Sequence, residues 1–147
     1  MLAPTFYSIF SEDQELTDLL ADYEISEGVT VPAIFQDWGQ RSNFPYMIFK
    51  LRSVPDNHWN KEKYYLEIDI FDYSEGGSTV KAKQIARRLK ILLHRLRINE
   101  ADGYSSIRVE HDTGDLVQEE EENIIHYETI FEVWAWDSQF VEESENV

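Results

Sequence analysis

The stretch Lys63-Tyr64-Tyr65-Leu66-Glu67-Ile68-Asp69-Ile70-Phe71-Asp72-Tyr73 decides the fold. Tyr64, Leu66, Ile68 and Ile70 fall on one side of an extended chain and Tyr65, Glu67, Asp69 and Phe71 on the other, because successive strand side chains point to opposite faces. This is a strand with one buried face. Residues 74–78, with Gly76 and Gly77, then turn the chain, and Ser78 or Thr79 is the expected N-cap of a helix. Along that helix Ile85, Leu89, Leu92, Leu93 and Leu96 make one apolar stripe, while basic residues fill much of the remainder. A helix so divided lies on a sheet with its basic side outward.

Both patterns recur on either side of this unit. Residues 124–136 alternate again, with Tyr127, Thr129, Phe131, Val133 and Ala135 on one face and Glu128, Ile130, Glu132, Trp134 and Trp136 on the other. Between the helix and this last strand the chain breaks at residues 99–103. Residues 105–111 and 116–119 then read as two strands joined through Asp112, Thr113 and Gly114, and Glu119, Glu120, Glu121 and Glu122 form a solvated turn. Phe71, Ile130, Trp134 and Trp136 share the face turned away from the helix, where an apolar patch beside carboxylates marks a protein contact or is covered by another segment.

Towards the N-terminus, strand-like runs at residues 31–38 and 46–52 are separated by a polar turn and Pro45, and the acidic residues 24–30, with Gly28, suit a connecting loop. Ser11 and Gln14 have the spacing of a capping box, which starts a short helix carrying Leu16, Leu19, Leu20 and Tyr23. Ahead of it, Phe6, Ile9 and Phe10 predict a further helical turn or two, opened by Pro4. Residues 54–61 carry turn chemistry around Trp59, and residues 139–147 have no pattern. The expectation is an α+β fold: an antiparallel sheet of about four to five strands, with a long amphipathic helix and a short N-terminal helix packed on one face. One domain spans residues 1–138, followed by an acidic flexible tail over 139–147.

At 147 residues the chain is long enough for one domain that buries roughly 68–70% of its unfolded surface. It contains no cysteine, which removes disulfides and thiolate metal sites and fits a reducing compartment. Its first residues lack a basic start and a long apolar run, and no segment approaches the roughly 20 apolar residues of a membrane span, so a soluble protein is expected. Thirteen basic residues stand against 29 acidic ones, a formal charge of −16. Such a field repels nucleic acid and anionic membranes, which are bound mainly through Lys and Arg. The distribution is uneven: Lys81, Lys83, Arg87, Arg88, Lys90, Arg95 and Arg97 give residues 79–97 a charge of +7, which leaves −23 on the rest.

No catalytic candidate survives its local context. Asp112-Thr113-Gly114 matches the triplet of aspartic proteases, whose paired carboxylates activate water, but that family needs two copies or a homodimer and sets the triplet after a hydrophobic strand, whereas here Val109, Glu110 and His111 precede it and Asp115 follows. A turn is the simpler reading. His58, His94, His111 and His126 form neither an H-x-x-x-H nor an H-E-x-x-H pattern. The run from Glu119 to Glu122 lacks the oxygen spacing of a calcium loop. Phosphate-cradling glycine motifs and the nucleophile elbow are missing. The expectation is therefore a protein without catalytic, cofactor or metal sites, whose basic stretch complements acidic protein.

Element order now carries a resemblance. Pro45-Tyr46-Met47-Ile48-Phe49, the strand Tyr65-Leu66-Glu67-Ile68-Asp69-Ile70-Phe71, a long helix over residues 82–96 and the closing Thr129-Ile130-Phe131-Glu132-Val133-Trp134 resemble the tail terminator, or tail completion, proteins of long-tailed bacteriophages. The likeness covers most of residues 4–136; the excess of acid and the Trp-bearing loop at 55–60 depart from it. It implies a hexameric ring at the neck of the virion, assembled in the host cytoplasm. Such a ring caps the tail tube protein, ends tail polymerisation and joins the head–tail connector or head closure protein, with DNA only passing through and no membrane involved. Candidate contact residues are then Lys81, Arg87, Arg88 and Arg95 on the basic side, Glu119, Glu120, Glu121 and Glu122 on the acidic side, and Trp59 and Trp134 as aromatic anchors. A head-side neck protein and an acidic nucleic-acid mimic are the alternatives.

Overall fold

The alternation around residue 68 is realised in space by two long strands at the middle of a sheet. The computed structural model describes residues 2–39, 42–55 and 60–137. In chain order these form α1 (Ala3–Glu12), α2 (Gln14–Leu19), β1 (Asp22–Ser26), β2 (Val29–Pro32), β3 (Ile34–Gln36), β4 (Tyr46–Val54), β5 (Lys61–Tyr73), α3 (Val80–Leu93), β6 (Arg97–Ala101), β7 (Tyr104–Val117) and β8 (Ile124–Asp137). β1 and β2 make a separate hairpin, and the other strands form one six-stranded sheet in the order β3-β4-β5-β8-β7-β6. All its pairs are antiparallel except β3 with β4.

Register assigns the two faces as the sequence pattern predicts. Leu66 lies opposite Phe131, Ile68 opposite Thr129 and Tyr64 opposite Val133 on the inner face, while Tyr65 faces Glu132, Glu67 faces Ile130 and Phe71 faces His126 on the outer one. The helices cover the inner face: α3 packs on β5, β7 and β8, and α2 packs on α3. Ile85, Leu89 and Leu93 of α3 meet Phe6 and Phe10 of α1 and Leu16 of α2 in one core with Phe49, Leu66, Phe131 and Val133, all fully buried. Each such side chain contributes roughly 1.5–3 kcal/mol through the apolar area removed from water. The Phe10 ring meets that of Phe49 edge-on, with centroids 5.3 Å apart.

Several expectations are corrected. The sheet has six strands and is mixed, because the chain leaves β3 through residues 37–45 and re-enters beside it in the same direction. Residues 24–30 are no loop but most of the β1–β2 hairpin, whose turn needs Gly28 at a φ of 75° and is closed by the Glu24 carboxylate accepting from the Gly28 N–H at 3.3 Å. The run at 31–38 therefore splits between β2 and β3. Ser11 does not cap the second helix; it lies inside α1, and Asp13 caps α2 by accepting from the Leu16 N–H at 2.9 Å. That helix stops at Leu19 instead of running to residue 23.

On the C-terminal side, α3 ends at Leu93, so Arg95 and Arg97 lie beyond it: Arg95 turns the chain at a φ of 65° and Arg97 begins β6. The expected break at 99–103 is therefore mostly strand. Asp112, Thr113 and Gly114 do not join two strands; they lie inside the continuous β7, at a bulge between His111 and Thr113. The turn around Trp59 and the expected tail at 139–147 lie outside the described residues.

Candidate assembly surfaces

The basic surface begins on α3. Lys81, Lys83, Arg87 and Lys90 are exposed on the side away from the sheet, beside Val80 and Ile91, which leave 61% and 60% of their surfaces in solvent. None of these four cations meets a carboxylate among the described residues. Arg88 behaves differently. Its Nε and Nη2 donate to the two oxygens of Asp13 at 2.9 and 2.8 Å, and its Nη1 lies 2.9 Å from Glu15. Hydrogen bonding from this guanidinium holds the Asp13 carboxyl below the usual carboxylate range, and the same contact raises Arg88. Arg88 thus clamps α2 onto α3 within one subunit.

This clamp has a compositional basis. The first 40 residues contain eight Asp and Glu and no Lys or Arg, so whatever packs on the basic helix from that part of the chain brings acid with it. Part of the sequence dipole is therefore neutralised internally. Between α2 and α3 runs a groove of about 400 Å³ lined by Glu15, Asp18, Leu19, Arg87, Arg88 and Ile91.

A second basic surface lies where sequence reasoning did not place one. Arg95, Arg97 and Arg108, with Glu110, line a groove of about 420 Å³. Arg97 and Arg108 stand directly opposite each other on β6 and β7, and Trp134 follows in the same row on β8, opposite Lys63 of β5. The Lys63 ammonium sits 5.5 Å from the Trp134 ring centre. Arg108 pairs with Glu110 at 2.8 Å, whereas Arg95 and Arg97 meet no carboxylate among the described residues. The signal was divided between two segments: Arg97 belongs to the +7 stretch and Arg108 to a neighbouring strand.

Acid gathers at the opposite end of the outer face. Asp69, Glu128 and Asp115 stand side by side on β5, β8 and β7, a like-charge arrangement that destabilises a sheet. His126 bridges acids of this cluster and the neighbouring loop. Its Nε2 lies 2.6 Å from Asp69 and its Nδ1 2.7 Å from Glu119, with its ring stacked on Phe71 at 4.3 Å. This fastens the start of the β7–β8 loop to the sheet, so Glu119 is engaged internally while Glu120, Glu121 and Glu122 stay exposed. Glu121 also joins Asp22 and Glu24 around an open cleft of about 1130 Å³ floored by Tyr23, Phe44 and Tyr46.

Of the contact residues nominated from the sequence, then, Lys81, Arg87 and Arg95 are exposed, Arg88 is internally paired, and Trp134 is half-buried on the sheet face turned away from the helices. Trp59 falls outside the described residues. Among those residues no group of three or more His, Asp and Glu is placed to hold a metal ion.

No protein-family model matches the chain, and no curated protein matches it by sequence. Solved structures do share its fold. One chain from the virion of a native gene transfer agent particle aligns over 88% of this chain and 90% of its own, with a TM-score of 0.64 and 12% identity. A second solved chain, whose name describes no function, aligns over 85% of this chain and 90% of its own, with a TM-score of 0.57 and 11% identity. At these identities the likeness establishes a common fold over nearly the whole of both chains.

Proposed function

We propose that this chain is a structural protein of a tailed phage or phage-like particle, and that it forms the ring that closes the head-proximal end of the tail. The observation that carries the virion role is the end-to-end fold likeness, 88% of one chain on 90% of the other, to a component of a gene transfer agent virion, and the ring at the tail end rests on the element-order resemblance to tail terminator proteins. Charge and surface support it. The molecule has exposed basic and acidic surfaces at separate places and a sheet face turned away from the helices that bears the half-buried Trp134 and Trp136, features suited to contacts between copies and to neighbouring virion proteins. A ring with net charge −16 per subunit repels DNA from its walls and lets it slide. On this reading the chain works by binding and has no catalytic step, its partners being itself, the tail tube protein and a connector or head closure protein.

Electron microscopy of particles labelled with an antibody to this chain tests the assignment. Label at the head-proximal end of free tails supports it; label on tail-less heads moves the chain to the head side of the neck; intact particles without label overturn it.

A further inference from the structure

The long β7–β8 hairpin carries opposite charges at its two ends. Near the first lie Arg95, Arg97 and Arg108, three guanidiniums around one groove with a single carboxylate, Glu110, among them. At the second, the loop contains Glu119, Glu120, Glu121 and Glu122. From Arg108 to the end of β7 at Val117 the strand advances roughly 30 Å, at about 3.3 Å per residue. Two charge clusters this far apart on one rigid element cannot reach each other within a subunit.

The arginine cluster is also disfavoured by its own charge. Arg97 and Arg108 are direct cross-strand neighbours, a placement that like charges disfavour. Arg95, which completes the trio, is held in the left-handed region at a φ of 65°, with its N–H donating to the Val109 carbonyl at 2.9 Å, so its place beside the groove is fixed by the backbone. A planar guanidinium takes a carboxylate through two parallel hydrogen bonds, and several carboxylates in succession fit several guanidiniums.

We infer that the Arg95–Arg97–Arg108 groove is a carboxylate-binding site whose occupant is the Glu120-Glu121-Glu122 run of a second copy of this chain. This rests on the self-assembly proposed above and names the contact that drives it. The Glu120–Glu122 run offers several carboxylates in succession to the three guanidiniums, and every copy carries both the groove and the run, so each can bind one neighbour through its groove and another through its loop. The contact is heterologous, one end of a subunit to the other end of the next, and it makes a ring where the rotation between neighbours closes.

Charge exchange tests it. Arg95→Glu with Arg97→Glu makes one variant, and Glu120→Arg with Glu121→Arg makes another. Sedimentation velocity at low salt should show that each variant alone associates at least about tenfold more weakly than wild type, since like charges across an interface oppose it. Mixing the two should restore association, because each then offers what the other lacks, and a chain carrying all four changes should assemble alone. A wild-type circular dichroism spectrum and a cooperative thermal transition certify folding in every case. Assembly of either single-cluster variant at wild-type strength, or failure of the mixture to recover, overturns the inference while leaving the ring reading standing. A wild-type chain that stays monomeric at high concentration and on isolated tails overturns both. Loss in the arginine variant of wild-type binding to short duplex DNA, with self-association unchanged, assigns the groove to phosphate and overturns the choice of occupant.

Discussion

Replacing Asp13 with asparagine keeps a side chain able to cap α2 and removes the charge that Arg88 grips, so it separates two roles of one residue. The folded carboxyl titrates below its unfolded value, which is about 3.9 for a free aspartate, mainly because of the Arg88 hydrogen bonds. A group whose pKa falls on folding stabilises the protein above the unfolded value and loses that contribution as pH drops through the folded one. Urea unfolding should therefore show Asp13→Asn less stable than wild type at pH 7, with the gap closing below about pH 4 as wild-type Asp13 takes up its proton. A gap of constant size down to pH 2.5 would mean that the clamp is not electrostatic. Asp13→Ala should cost about 1 kcal/mol more, through the lost cap. The sequence pointed to Ser11 and Gln14 because their spacing satisfies a local rule. It could not register Arg88, 75 residues away, which binds Asp13 and favours the cap that supports both contacts.

At the scale of elements, α3 supplies a paired prediction. Leu89 is fully buried against the sheet, whereas Ile91, two residues on, leaves 60% of its surface in solvent. Leu89→Ala should destabilise the protein by about 3 kcal/mol through lost transfer energy and the cavity left behind. Ile91→Ala should change stability by less than about 0.5 kcal/mol, as a surface site does. Comparable losses at both positions in chemical denaturation would show that α3 is rotated from its assigned face. This contrast was legible from the sequence, as were β5 and β8, because a stripe at helical spacing and an alternation of two are intrinsic to a segment that buries one side. What escaped were elements whose partners decide them. The β1–β2 hairpin is largely exposed and reads as an acidic loop until its two strands are paired. Asp112, Thr113 and Gly114 have turn composition, yet pairing with β8 on one side holds them in a strand, and the chain's extra residue goes into a bulge. The arginine groove was divided among the turn after α3, β6 and β7, and the placing of Arg97 directly opposite Arg108 follows from strand register, which the sequence does not show.

For the whole molecule, net charge and charge separation make opposite demands on salt. A subunit at −16 repels itself, and this self-repulsion weakens the compact state. Screening lengths fall from about 30 Å at 0.01 M salt to about 8 Å at 0.15 M, short enough to quench repulsion between distant carboxylates while close pairs such as Arg88 with Asp13 at 2.8 Å, partly buried, are screened much less. Adding salt should therefore raise the thermal midpoint of the monomer. Contacts between copies depend on attraction between exposed charges, so the same addition should weaken association. Arg87→Glu provides the control, since Arg87 is exposed and meets no carboxylate among the described residues, unlike its neighbour Arg88. It should leave the monomer's midpoint near wild type and, if α3 contributes to assembly, lower association at low salt more than at high salt. Reversing Arg88 as well would confuse the result by releasing α2. Differential scanning fluorimetry and mass photometry on one dilution series at 20 and 300 mM sodium chloride read both responses together. A midpoint and an oligomer fraction that move in the same direction with salt would show that apolar contacts, led by the outer sheet face with Trp134 and Trp136, hold the assembly instead of the charge arrangement.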